Sequence, residues 1–293
     1  MPKLKRKLKI RQDIKRKYNY IVKMLDYTYD PISILNELLN RPFIKQRTPE
    51  WFQLREGRLT ASDLYDAIKN PSSLAKRKVK NVSFNSNAIP ALKWGCMLEE
   101  MAIRIYSTMN DIKIHQFGLI VNEDIQNFGA SPDGISCNGI MIEIKCPYSR
   151  KIKENEIPEK YYYQMQGQMA VCKIHNCDYV ECEFHQYKNK EEYLSDTKEN
   201  NYTHGIIAEN HLNEYKYSSN DQTEEENIKE MEEFKQTHPK LFYWKLIKIN
   251  IQRVNFDKNK WINEIEPKIK IFADIYKKEI EMNKPLNMFI DDD

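Results

Sequence analysis

The sequence predicts an α/β fold of the mixed α+β kind, a central mixed β-sheet flanked by helices. Segments such as "GIMIEIKC" (139–146) and "CDYVECEFH" (177–185) alternate with the period of two expected of strands. "PALKWGCMLEEMAIRIYSTM" (90–109) and "PEKYYYQMQGQMAVCKI" (158–174) instead repeat their apolar residues at helical spacing. The two kinds interleave along 293 residues, enough for a large core that needs no disulfide staples.

Taken in order, "DPISILNELLNRPF" (30–43) reads as a short helix ending before Pro42. Thr48, Pro49 and Glu50 form a helix start with proline in the first turn, and Ser62 is placed as the N-cap of the next helix. Residues 70–90, rich in Asn, Ser and Lys, are expected to form a loop before the long amphipathic helix that carries Glu99 and Glu100. Strands at 112–122, 126–130 and 139–146 then make an antiparallel meander. In the helix at 158–174, Tyr161, Gln164, Gln168 and Cys172 share one side. After the strand at 177–185, residues 187–236 turn polar and are read as an insertion or surface excursion. "LFYWKLIKINIQRVNF" (241–256) is a long strand, and the chain continues in a helix kinked or divided at Pro267. The domain plan is a basic arm with a short helix over 1–45, then one domain over 46–290 interrupted at 187–236.

Net charge is only +3, but it is unevenly spread. Lys3 to Lys17 hold nine Lys or Arg against Asp13 alone, a tract suited either to a polyanion or to a solubilising tail. Six scattered cysteines, no secretory leader and no run of roughly 18 apolar residues lead to the expectation of an intracellular protein that is neither secreted nor embedded in a membrane. Eight glycines form neither GxxxxGK nor GxGxxG, and GxSxG is absent, which argues against kinase, dehydrogenase and serine-hydrolase chemistry. Cys172, His175, Cys177, Cys182 and His185 lack the spacing of a zinc site and are better read as buried free thiols and ordinary histidines.

The chemistry concentrates in "GASPDGISCNGIMIEIKCP" (129–147). Period-two alternation puts Met141, Glu143 and Lys145 on one face and Ile140, Ile142 and Ile144 on the other. Asp133, in a Pro-Asp-Gly turn, closes a hairpin whose return strand carries Glu143, so that the three charges meet at one sheet edge. A pattern D-x9-E-x-K by itself also describes a solvated surface.

Four motifs in order, "WFQLREGRLTAS", "ALKWGCMLEE", "GASPDGI…IEIKCP" and "YYYQMQGQM", span residues 51–169. On them the chain resembles the phage lambda exonuclease and YqaJ-type viral recombinase family, a branch of the PD-(D/E)xK nucleases. The resemblance implies a restriction-endonuclease-like core and metal-dependent hydrolysis of duplex DNA from its ends, 5′ to 3′, in viral recombination, repair or replication. It makes Asp133 and Glu143 metal ligands together with the carbonyl of Ile144, binding two Mg²⁺ ions that Mn²⁺ can replace, with Lys145 steadying the attacking water or the scissile phosphate. Glu99 becomes a further acid, with Glu100 as the alternative in register; Tyr161, Gln164 and Gln166 line the site; Arg55, Ser62 and Ser131 hold the terminal 5′-phosphate. Double-stranded DNA, a single-strand annealing protein and a homotrimer are the partners implied. A structure-selective or restriction-like endonuclease, an RNase on the same core, and a non-catalytic DNA-binding protein are the other readings. Richness in Lys, Asn and Ile points to an AT-rich genome such as a large DNA virus has, and a viral origin would imply the host cytoplasm.

Overall fold

The computed structural model describes residues 29–80, 88–199, 203–219 and 223–283. The basic tract 3–17 and part of the 70–90 segment lie outside them.

Helix α1 (Pro31–Leu39) starts where the Asp30 carboxylate accepts the Ile32 N–H. Its Leu35 and Leu38 enter the same core as Leu59, Leu64 and Phe128, so this helix belongs to the body of the protein. Helix α2 (Pro49–Arg55) begins as its sequence indicates, with the Thr48 hydroxyl accepting from Trp51 N–H. After strand β1 (Leu59–Thr60) the chain makes a 3-10 turn (Ala61–Asp63) into α3 (Leu64–Lys69). Ser62 is therefore inside that turn and is not the helix N-cap; Asp63 holds that position, and its carboxylate accepts from the Thr60 hydroxyl at 3.0 Å. The expected loop at 70–90 contains helix α4 (Pro71–Val79), because Leu74 and Ala75 find full burial against the C-terminal helix despite a lysine-rich outer face.

Helix α5 (Pro90–Asn110) is followed by strands β2 (Ile114–His115), β3 (Ile120–Val121), β4 (Phe128–Ala130), β5 (Gly134–Ser136) and β6 (Met141–Lys145). These do not form the expected single meander: β4 pairs with β1 and β3 in a small sheet, whereas β2, β5 and β6 join a seven-stranded one. Gln46 accounts for part of the break, since its side-chain amide donates to the carbonyls of Phe117 and Pro132 and satisfies backbone that a continuous ladder would use.

Helix α6 (Glu159–Cys172) crosses from β6 to the parallel strand β7 (Asn176–Gln186). Then come α7 (Lys190–Glu199), β8 (His204–Glu209), β9 (Tyr215–Tyr217), α8 (Glu224–Phe234) and β10 (Lys240–Asn255). Residues 187–236 are thus no surface excursion. They supply β8 and β9 to the large sheet and pack Tyr187, Tyr193, Ile206 and Met231 into a core with Tyr243 of β10. A one-turn helix (Lys258–Lys260) and a π turn (Trp261–Ile265) lead into α9 (Glu266–Met282), so the irregularity expected at Pro267 falls just before it.

The large sheet has the order β2-β5-β6-β7-β10-β8-β9, with β6 and β7 parallel and the remaining pairs antiparallel. Ile142, Ile144, Val180 and Cys182 face α5, while Met141, Cys177 and Tyr179 face α6. Both faces of β6 are covered. Among the described residues no helix is long and apolar enough to cross a membrane.

Candidate active site

The register Gly134↔Ile142 brings the residue before β5 alongside the end of β6. Asp133 consequently lies beside Glu143, and its Oδ2 accepts the Ile144 N–H at 2.7 Å. A side chain at Gly134 would collide with Ile114 Cγ2, so glycine is what lets β2 lie against this bend. The three charges meet at the end of an interior strand, not at a sheet edge, and the turn of the hairpin lies at residues 137–139, with Asp133 at its open end.

Glu143 is fully buried beneath α6. Its Oε1 accepts from Lys145 Nζ and from Gln164 Nε2 (2.7 Å), and its Oε2 from Gln168 Nε2 (2.7 Å). The helical face read from the sequence is thus the one that holds the carboxylate. Tyr161 lies on the same wall, its ring centre 5.0 Å from Lys145 Nζ. Gln166 points elsewhere, bridging the Asn255 carbonyl and the Asp257 N–H. Glu99 and Glu100 are distinguished by their partners: Glu100 binds Arg104 (2.9 Å) and Gln116 (3.0 Å), whereas Glu99 is the one that acts electrostatically on Asp133 and is held at 2.5 Å by Arg47.

Burial, then the charges of Glu143 and Glu99, raise the Asp133 carboxyl well above the usual range. Burial opposes the Lys145 ammonium, but Glu143 and Asp133 outweigh it and hold its pKa above the ordinary value. Two carboxylates crowded together with one carbonyl form a hard-oxygen set that a divalent cation relieves and a proton otherwise must. Among the described residues no three His, Cys, Asp or Glu side chains converge, and the oxygen next to the two carboxylates is the Ile144 carbonyl, which Lys145 Nζ touches at 3.1 Å. The donor set fits Mg²⁺ on this count. The thiols set aside earlier are split across the sheet, Cys172 and Cys177 on one side and Cys182 on the other.

Beside this cluster the other three expected residues are gathered by one that the sequence reading did not single out. Arg55 donates to Thr60 Oγ1 (3.2 Å) and Ser62 Oγ (3.4 Å), and its guanidinium lies 4.2 Å from the centre of the Trp51 ring. Trp51 Nε1 in turn donates to Ser131 Oγ at 3.1 Å. Burial lowers the Arg55 pKa, with Asp63 opposing, so an anion here would restore a charge balance that burial disturbs. Trp51 could have been found as the residue four before Arg55, hence on the same helical face.

Fold and site together define the class as a mixed α/β core with a cluster of two carboxylates and a lysine at the end of an interior strand. Residues 50–175 match the family of the YqaJ-like viral recombinase domain, bearing out the resemblance read from the four motifs. The fold is similar to that of an alkaline exonuclease from Laribacter hongkongensis, with a TM-score of 0.52 and 23% identity over 80% of this chain and 95% of that one. A second structure of that enzyme, in complex with dAMP, gives a TM-score of 0.52 and 24% identity over the same shares, 80% and 95%. A protein of Acanthamoeba polyphaga mimivirus, R354, is 26% identical over 179 residues, 53% of this chain and 32% of the relative, so the match spans about a third of that protein's length.

Proposed function

We propose that the chain is a metal-dependent deoxyribonuclease that removes nucleotides from duplex ends in the 5′ to 3′ direction. The observation that carries this is the convergence of Asp133, Glu143 and Lys145 at the end of β6, with the Trp51, Arg55, Ser62 and Ser131 group beside it. The family description, and an alkaline exonuclease of like fold bound to a deoxynucleotide, agree with the reading.

The chain's own residues have distinct tasks. Asp133, fixed by the Ile144 N–H, and Glu143, fixed from three sides, are the two carboxylates that would hold a divalent cation. Two Mg²⁺ ions, replaceable by Mn²⁺, would there activate water and clamp the leaving oxygen of an in-line displacement. Lys145 keeps its proton and serves as a donor to the attacking water or a phosphate oxygen, not as a base. Arg55 offers a fork to the terminal 5′-phosphate, with Ser62 and Ser131 completing the pocket. A phosphate seated there places the strand's first linkage near the carboxylates, which gives the direction. By the same resemblance the protein works in viral DNA recombination, repair or replication in the host cytoplasm, as a homotrimer and with a single-strand annealing partner.

Wild type and Asp133→Ala, incubated with Mg²⁺ and linear duplex, closed circular DNA or RNA, test the reading. Loss of the linear duplex alone, with no loss in the variant, is the expected result. Cutting of the closed circle makes the protein an endonuclease, cutting of RNA alone an RNase, and near-wild-type activity of Asp133→Ala removes the site assignment.

A further inference from the structure

One buried carboxylate on this face of the sheet has no part in the chemistry above. Glu181 of β7 stands in register with Lys145, just as Tyr179 stands in register with Glu143. Its side chain is 0% exposed. Oε1 accepts from the Arg150 guanidinium and from the Tyr179 hydroxyl (2.9 Å), while Oε2 is buried with no hydrogen-bond partner among the described residues. The ring of Tyr179 lies 5.8 Å from that of Tyr161, which carries Lys145 on its other contact. Lys145, Tyr161, Tyr179, Glu181 and Arg150 therefore form one continuous wall.

Arg150 belongs to the loop that follows the Cys146-Pro147 strand stop, and its side chain is 40% exposed. Besides Glu181 it reaches the Lys151 carbonyl at 3.4 Å, which leaves further donors of its five-donor fork uncommitted among the described residues. A loop can be pinned to a sheet by apolar contact alone, whereas burying a carboxylate carries a desolvation penalty that its partner must offset. What Glu181 adds over an apolar residue is direction: it and Tyr179 hold the guanidinium in one place at the mouth of the site. Sheet order sets where that place is. Asp133, with Ser131 and the Arg55 pocket, lies on the β5 side of β6, and Arg150 lies on the β7 side.

We propose that Arg150, positioned by Glu181 and Tyr179, is a second phosphate-binding subsite that takes a phosphodiester of the same strand on the duplex side of the scissile bond. This rests on the nuclease reading of the site. The strand then runs from its terminal phosphate at Arg55, past the carboxylates, to an internal phosphate at Arg150.

The test is a chemical double-mutant cycle on 5′-phosphorylated duplexes in which one phosphodiester at a time, along the first several positions, is a neutral methylphosphonate. Wild type should lose about tenfold in kcat/KM and in affinity at one position beyond the scissile bond, as expected for one charge-assisted contact. Arg150→Gln should start about tenfold lower and be insensitive at that position alone, keeping its sensitivity elsewhere. Glu181→Gln, which retains an acceptor for Tyr179, should show the same pattern in weaker form. A merely structural role for Arg150 predicts equal sensitivity of variant and wild type at every position, and that result overturns the subsite. Should Arg150→Gln melt early, Arg150→Lys, which keeps the charge and loses the fork, carries the same comparison. Affinity read by fluorescence anisotropy in Ca²⁺ separates the two readings: a wild type that binds position-selectively through Arg150 but cuts nothing refutes the nuclease and leaves the subsite standing.

Discussion

Glu143 receives three side-chain donors, one from its own strand and two from successive turns of α6. Gln168 is the innermost of them and is itself buried. Replacing it by leucine leaves one carboxylate oxygen without a donor inside the core, which should cost about 1–3 kcal/mol in stability and, by freeing the Glu143 rotamer, lower kcat more than it raises KM. A melting curve and steady-state rates check this; unchanged kcat in a folded Gln168→Leu protein would mean that Lys145 and Gln164 suffice. Arg55 leads to a second expectation. Wild type should degrade 5′-phosphate ends faster than 5′-hydroxyl ends, and Arg55→Ala should erase most of the difference. Equal wild-type rates on the two ends would sink the pocket and with it the assigned direction. Much of this site was legible in the sequence, because a strand's period of two fixes which side chains share a face and a helix's 3.6 fixes Gln164 above Gln168. The pairing of Arg47 with Glu99 and the bridge from Trp51 to Ser131 were not, since each joins residues that only the tertiary fold brings together.

Helix α6 fits tightly between the charged end of β6 and the turn that carries Ser62. A Cβ at Gly167 would stand 3.0 Å from Leu64 Cδ2, 3.1 Å from Ala61 Cβ and 3.3 Å from Phe128 Cζ, all in the fully packed core. Gly167→Ala should therefore lose about 1–3 kcal/mol by overpacking, even though alanine is the better helix former. A variant more stable than wild type would show that the turn has room to yield. Helix α2 depends on its cap in a different way. Thr48→Ala removes the acceptor for Trp51 N–H at a cost of about 1 kcal/mol, and because α2 bears Trp51 and Arg55, KM for 5′-phosphorylated ends should rise while kcat holds. Long elements such as β7 and β10 were legible from pattern alone. The strands β5 and β9, three residues each, are too short to display a period, and α4 hides two buried residues in a basic stretch.

Across the whole molecule, charge and topology act over longer distances. The basic tract 3–17 should add to DNA affinity without touching the chemistry, since each phosphate it neutralises contributes roughly one unit to the salt slope of binding. Deleting residues 1–17 should flatten that slope and leave kcat unchanged; an unchanged slope assigns the tract to some other partner. The polarity of residues 187–236 concealed two strands, because β8 is placed by pairing with β10, and β9 by pairing with β8, partners that lie outside or within the same polar stretch and leave no long period to read.

β10 lies between β7 and β8, yet among the described residues it is the last strand in chain order. It meets β7 along nearly its whole length, from Asn255 opposite Asn176 to Trp244 opposite Gln186. On the ribosome, then, the carboxylates and the helix that grips them emerge well before the strand that covers the flank of β7. Throughout that interval the nascent protein shows a bare edge of backbone donors and acceptors, open to any other unfinished chain. A chain stopped at residue 239 should aggregate, and a peptide of residues 240–255 supplied during refolding should rescue it, so completion of the sheet is timed by the arrival of a single late strand.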